Sequence, residues 1–242
     1  MKKPLILAII PARGGSKGIS GKNTRVFDDR PLIEYSIEVA KKTPSIDRVI
    51  VSTESEGIAA VAKAAGAEVP FLRPAEFAQD TSKVVDAVVH LLEQLKAREG
   101  YEPDYIILLQ PTNPMRTVGD IETSIALIQN RNADSLVSVC KVTEPLLLIK
   151  NAEDTVTFVH KDLFTSTNRQ EVPQYYRLDG CMIFLASTKK FLEERSFYAG
   201  KCVGYEIEKW RAVDSAAPED FVVGEILFDK QQEIAEAIKH FS

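Results

Sequence analysis

Histidine, cysteine and tryptophan are scarce, with three, three and one among 242 residues. His90, His160 and His240 stand singly, so each is read as a structural or surface residue rather than a ligand. Cys140, Cys181 and Cys202 are odd in number and widely spaced, which excludes a Cys-x-x-Cys metal or redox site and suits a reducing cytoplasm. No apolar run approaches the ~20 residues that span a bilayer, so no membrane partner is expected. Met1-Lys2-Lys3-Pro4 leads into a short apolar run with no small-residue cleavage pattern, unlike a signal peptide. Excess positive charge is missing as well. A formal net charge of −5 argues against a nucleic-acid partner and confines any anion site to a local basic pocket. There are no internal repeats and no low-complexity linkers, so residues 1–242 are read as one domain large enough to bury a substantial core.

What is present begins at the N-terminus. Leu5 to Ile10 is an apolar run that reads as a strand buried on both faces and ended by Pro11. The eleven residues from Arg13 to Asn23 then hold four glycines and three cations. Glycine lets backbone N–H groups turn toward a ligand, while Arg and Lys answer phosphate charge. At the carboxyl end of a first strand, such a loop is a polyphosphate cradle. Two common nucleotide motifs are absent. A Walker loop with its lysine at Lys22 requires Gly at 16 and Ser or Thr at 23, where this chain has Ser16 and Asn23. Gly-x-Gly-x-x-Gly does not occur there either.

Further along, helical spacing from Arg30 to Ala40 precedes a strand at Arg48–Thr53 and a helix from Ser55 to Ala65 stopped by Gly66. Thr81 to Arg98 is an amphipathic helix, Asp104 to Leu109 a buried strand, Val118 to Asn130 a helix and Ser135 to Cys140 a strand. This alternation predicts an α/β, Rossmann-like doubly wound fold with a mostly parallel sheet. The rhythm breaks at about residues 144–201, read as an inserted lid or oligomerisation arm holding a strand at Leu178–Leu185 and a helix at Thr188–Glu194. A last amphipathic helix runs from Pro218 to Ile238.

Four loops are expected to meet over one face of the sheet. They carry Arg13, Ser16, Lys17, Lys22 and Asn23; then Arg73 with Asp80-Thr81-Ser82-Lys83; then Gln110 to Arg116; then Asn168 to Gly180. For Thr81 and Ser82, helix N-capping is the alternative to ligand contact.

Pro11-Ala12-Arg13-Gly14-Gly15-Ser16-Lys17-Gly18 with Lys22-Asn23 resembles the signature loop of the acylneuraminate cytidylyltransferases, the CMP-sialic acid synthetases. Leu72-Arg73-Pro74, Leu109 to Thr117 and Arg169-Gln170 before Pro173 are similar to later motifs of that family in the same order, over nearly the whole chain. The resemblance implies a nucleotidyltransferase fold and a cytidylyltransferase activity. The 2-hydroxyl of a nine-carbon, sialic-acid-like 2-keto sugar acid attacks the α-phosphate of CTP, giving a CMP-sugar and pyrophosphate.

It further implies Arg13, Lys17 and Lys22 as catalytic residues, and Arg13, Ser16, Lys17, Asn23, Arg73 and Ser82 as nucleotide-binding ones. Gln110 and Arg169 would face the sugar, with Phe197 and Tyr198 lining its pocket; core packing is the alternative for these two aromatics. Arg169 would come from the partner subunit of a homodimer, through the 144–201 arm. Asp214 would bind Mg²⁺, although Ala216 stands where the family's Asp-x-Asp run has its second carboxylate. Leu147 and Asp179 also depart from the family pattern and leave the sugar open. Legionaminic, pseudaminic or 3-deoxy-octulosonic acid, or a non-catalytic nucleotide-binding homologue, are the alternatives.

Overall fold

The computed structural model describes residues 3–15, 18–142, 148–150, 152, 154–158, 174–178 and 182–241. Ile6–Pro11 forms β1, and Pro11 closes it opposite Ser52, where no N–H is needed for the ladder. Val26–Phe27 (β2) and Arg30–Pro31 (β3) make a small hairpin before helix α1, Leu32–Lys42. There follow β4 (Arg48–Ser52), α2 (Glu56–Ala64), α3 (Val84–Glu99), β5 (Tyr105–Leu108), α4 (Val118–Asn130) and β6 (Ser135–Val142). The expected arm holds the β7–β8 hairpin (Leu148–Lys150, Val156–Phe158) and β9 (Tyr175–Leu178), which extends the far half of β6. Then come β10 (Phe184–Ser187), α5 (Thr188–Glu194), β11 (Cys202–Ile207), α6 (Pro218–Asp229) and α7 (Gln231–Lys239).

The main sheet has the order β11-β6-β10-β5-β1-β4, with β9 attached to β6. β1 lies parallel to both β4 and β5, and β11 is parallel to β6. β10 runs antiparallel between β5 and β6, so the sheet is mixed although mostly parallel. Residues 184–194 of the stretch expected as an arm are thus the β10–α5 unit of the main layer. A buried apolar run specifies both-face burial but not direction, which is why β10's orientation is invisible in the sequence.

The alternation of β1 explains why it is central. Ile6, Ala8 and Ile10 face one core with Val49, Val51 and Ile107, under α1, α2 and α4. Leu7 and Ile9 face the other with Ile50, Ile106 and Leu108, under α3 and α5. Each such large side chain contributes roughly 1.5–3 kcal/mol by leaving water. A third, aromatic cluster of Phe27, Tyr35 and Phe221 packs edge to face, with the Phe27 and Phe221 ring centroids 5.3 Å apart. It includes Ile19 from the tail of the glycine loop, and so ties that loop to α6.

The terminal helix read as one element breaks at Lys230, whose backbone (φ −93°, ψ 7°) leaves the helical region between α6 and α7. Among the described residues no helix is long and apolar enough to cross a membrane.

Candidate active site

The loops after the carboxyl ends of β1 and β5, with the segment between α2 and α3, line one cleft of about 390 Å³. At its base the chain leaves β1 through Ala12, whose N–H donates to the Ser52 carbonyl at 3.0 Å. The first loop then doubles back. Gly21 sits in the left-handed region (φ 62°), which glycine enters without steric cost, and opens the single turn Lys22–Thr24. The buried Asn23 donates from Nδ2 to the Arg13 carbonyl at 2.9 Å, closing the loop on itself. Asn23 therefore spends its amide on the loop while its flank lines the cleft.

Arg13 and Lys22 both line the cleft. Arg13 Nη1 donates to Asp80 Oδ1 at 2.8 Å, a pair that is about a third to a half exposed. The Lys22 ammonium has its pKa held below the ordinary lysine value of 10.5. Desolvation by burial is the main cause; Asp214 pulls the other way and the Arg13 charge adds to the lowering. A lysine so placed is a partly desolvated cation that an anionic ligand in the cleft would stabilise.

The second wall starts where the Arg73 N–H donates to the Thr53 carbonyl at 2.8 Å. The Arg73 side chain is buried, 7% exposed, and Nη2 donates to Glu54 Oε2 at 2.9 Å. Glu54 Oε1 accepts the Gly14 N–H at 2.6 Å. Ser82 lines the cleft, but its hydroxyl donates to the Glu76 carbonyl at 2.7 Å and accepts the Gln79 N–H at 3.0 Å. It shapes the loop before α3 and does not cap that helix, whose N-cap is Lys83 without a side-chain bond.

The third wall is the loop after β5. The Gln110 carbonyl accepts from Ser36 Oγ at 3.2 Å and from Arg116 Nη2 at 3.0 Å, while the residue lines the cleft. Arg116 is buried and also donates to the Met182 carbonyl, so this cation braces the loop from behind.

The segment carrying Asp214 is tied to the same loop. The Ser215 N–H donates to the Thr112 carbonyl at 2.9 Å. Arg211 reaches Met115 O at 3.0 Å and pairs with the buried Asp120, which also accepts Tyr205 OH at 2.9 Å. Asp214 is half-buried and close enough to Lys22 for its charge to act on the ammonium. Among the described residues no group of three or more His, Cys, Asp or Glu side chains could hold a metal ion. Asp214 thus offers one carboxylate, which fits a magnesium ion carried largely by substrate phosphates and not a cage made by protein alone.

Of the residues expected at the site, Arg13, Lys22, Asn23, Arg73, Ser82 and Gln110 line this cleft. Ser16, Lys17 and Arg169 lie outside the described residues, as do Leu147 and Asp179. Phe197 and Tyr198 do not line the cleft. Phe197 is buried, 4.7 Å from the Phe191 ring and 5.8 Å from that of Phe184, which is the core-packing alternative. Tyr198 is half exposed, with its ring 6.1 Å from Phe184. Phe184 pairs with Leu108, so Tyr198 stays at the same end of the sheet as Gln110. Of the two carboxylates bonded to the glycine loop, Asp80 is expected from the sequence only as a member of the second loop, and Glu54 is not expected at all. Glu54 occupies the link between β4 and α2, at a strand's carboxyl end, and stands behind the cleft lining, bonded to Arg73.

The chain matches the family model described as Cytidylyltransferase over residues 7–231. It is 33% identical over 235 residues to CMP-N,N'-diacetyllegionaminic acid synthase of Legionella pneumophila, covering 94% of this chain and 98% of that protein. It is also 33% identical over 218 residues to N-acylneuraminate cytidylyltransferase of Escherichia coli O18:K1:H7, covering 89% of this chain and 50% of that longer protein. In three dimensions it resembles CMP:2-keto-3-deoxy-manno-octonic acid synthetase complexed with CTP, with a TM-score of 0.69 at 17% identity over 94% of this chain and 99% of that one. At that identity the likeness speaks for the fold. The sequence match, running from the second residue of β1 to the first of α7, takes in all of the main sheet but Ile6 and every wall of the cleft: the chain belongs to the cytidylyltransferase family and is a nucleotidyltransferase.

Proposed function

We propose that this chain couples CTP to the 2-hydroxyl of a nine-carbon, sialic-acid-like 2-keto sugar acid. The bond formed is sugar O2 to the α-phosphorus; the bond broken joins that phosphorus to the α,β-bridging oxygen, which leaves with the electron pair as part of pyrophosphate, while the 2-hydroxyl proton passes to solvent. The observation that carries the reading is the convergence of Arg13, Lys22 and Arg73 on one cleft at the strands' carboxyl ends, which Gln110 also lines. Phosphoryl transfer asks a protein mainly for positioning and for charge that answers the transition state. Lys22 is placed for the second task, and Arg13, with Ser16 and Lys17 by resemblance, for holding the triphosphate. Asn23, Arg73 and Ser82 are proposed to shape the nucleoside end.

Gln110 is proposed to meet the sugar acid, with Tyr198 flanking it from beside Phe184. Arg169 of the partner subunit completes the sugar site in this reading, which makes the enzyme a homodimer. Mg²⁺, bound by Asp214 and the phosphates, would supply charge neutralisation on the triphosphate. Dependence on CTP and three dispersed cysteines support a cytoplasmic setting.

Both relatives at 33% identity are named for sugar-acid activation, one with a legionaminic and one with a neuraminic product. The test is pyrophosphate release from CTP and Mg²⁺ with N-acetylneuraminic, N,N'-diacetyllegionaminic, pseudaminic and 3-deoxy-octulosonic acids in turn. Release with a nine-carbon acid is expected. Release only with the octulosonic acid would move the substrate to that branch, and CTP binding without release for every acid would make the chain a non-catalytic homologue.

A further inference from the structure

Glu54 makes two hydrogen bonds to two different walls of the cleft. Its Oε1 takes the Gly14 N–H at 2.6 Å and its Oε2 takes Arg73 Nη2 at 2.9 Å. Asp80 also ties the glycine loop to the loop that follows Arg73, but through the partly exposed Arg13 side chain and not through the backbone. The site is built around the Glu54 bridge. A Cβ on Gly14 would stand 3.3 Å from Ser55 Cβ and 3.4 Å from Glu54 Oε1, so the glycine leaves the room that the carboxylate and the start of α2 occupy. Arg73 is almost wholly buried, so without Glu54 its guanidinium would be a desolvated cation beside a loop that carries more positive charge.

Asp80, which lines the cleft itself, differs from Glu54 in burial. The Arg13–Asp80 pair has side chains 34% and 47% exposed, whereas those of the Arg73–Glu54 pair are 6% and 22% exposed. An exposed pair is worth little and gives way to an incoming polyanion. A buried one persists, because either member alone is costly. The carboxyl stays ionised for the same reason. Burial pushes its pKa up, but the bonds from Arg73 and Gly14 outweigh this and hold it below the ordinary value.

We infer that Glu54 is a positioning residue of the nucleotide site, which acts through Gly14 and Arg73 to hold the phosphate loop and the nucleoside wall in the spacing that binds CTP. The inference rests on the proposed CTP chemistry. It assigns Arg73 a neutralised, geometric part, and leaves the charge that answers the triphosphate to Arg13 and Lys22.

The experiment measures CTP binding by calorimetry, and KM and kcat for pyrophosphate release, in the wild type, Glu54→Gln, Glu54→Ala, Arg73→Ala and the Glu54→Ala/Arg73→Ala double variant. Glu54→Gln keeps the shape but presents an NH₂ to one of two donors, so it tests the bridge even where the alanine variant folds poorly. The expected result is CTP affinity weakened and KM raised by about ten- to a hundredfold, with kcat changed less than about threefold. The double variant should be no weaker than Arg73→Ala alone, since the two residues act as one unit. Unchanged CTP affinity in Glu54→Gln, or losses that simply add in the double variant, would overturn the inference and leave the CTP reading standing. Failure of the wild type itself to bind CTP would overturn the functional reading, and the inference with it.

Discussion

Gly18 lies so close to Ala216 that a Cβ added at residue 18 would stand 2.7 Å from the Ala216 carbonyl oxygen. The two residues join opposite ends of the chain, the glycine loop after β1 and the segment that carries Asp214. The contact is with backbone, which cannot rotate away as a side chain would. Ala216 is itself held, its N–H donating to the Asp214 carbonyl at 2.6 Å. Ala216 is exposed, and it is its main chain that packs against the glycine loop.

Gly18→Ala should push these segments apart. The strain of overfilling such a contact is about 1–3 kcal/mol, a modest loss in melting temperature. Turnover should suffer more, falling by about a hundredfold if Lys22 and Asp214 shift by ~1 Å. Pyrophosphate release and a thermal melt on the same preparation check this. A variant with wild-type turnover would show that the contact does not set the site's geometry.

Lys22→Ala removes the desolvated cation of the cleft and should slow pyrophosphate release by ~10²–10³. The pH profile carries a second signature. Desolvation lowers the folded-state pKa of Lys22, so on raising pH the free enzyme loses this charge before an ordinary lysine would. The alkaline limb of kcat/KM should fall below 10.5 and move to higher pH in Lys22→Arg. For stability the sign is opposite. The unfolded chain binds this proton more tightly than the folded one, so Lys22 penalises folding below its folded pKa and the penalty fades as pH rises through that value. Lys22→Ala should accordingly melt at or slightly above the wild-type temperature at neutral pH.

Asp80 holds Arg13 in an exposed pair that a triphosphate must displace. Asp80→Ala should tighten CTP binding by up to about fivefold, the equivalent of an exposed pair worth at most about 1 kcal/mol. Titration calorimetry at two ionic strengths checks it, and weaker binding in the variant would instead make Asp80 part of the nucleotide site.

Arg211 and Asp120 dock the Asp214 segment onto the loop after β5. Arg211→Ala strands a carboxylate whose side chain is 4% exposed, and should cost about 3–5 kcal/mol of stability. Burial raises the Asp120 pKa, but Arg211 and Thr117 bring it net below the ordinary value. The contribution is thus present above the unfolded carboxylate pKa and lost as pH falls through the folded one. Acid unfolding of Arg211→Ala should begin at higher pH than that of the wild type, and Asp120→Asn on that background should recover part of the loss.

The sequence by itself determined the layered α/β pattern, the both-face burial of β1, the helix at Thr188–Glu194 and the loops that hold Arg13, Lys22, Asn23, Arg73 and Gln110. These are local facts: apolar periodicity, glycine spacing and strand ends are written within a dozen residues. Only the tertiary structure decided that β10 runs antiparallel inside the main sheet, that Phe197 is core, that Ser82 shapes a turn and leaves α3 uncapped, and that the terminal helix is two. It also decided which charges meet. Glu54 with Gly14, Asp80 with Arg13 and Asp120 with Arg211 are separated by 40, 67 and 91 positions along the chain. A side chain's type is local, but its partner, its burial and hence its pKa are set by whatever the packed fold brings against it.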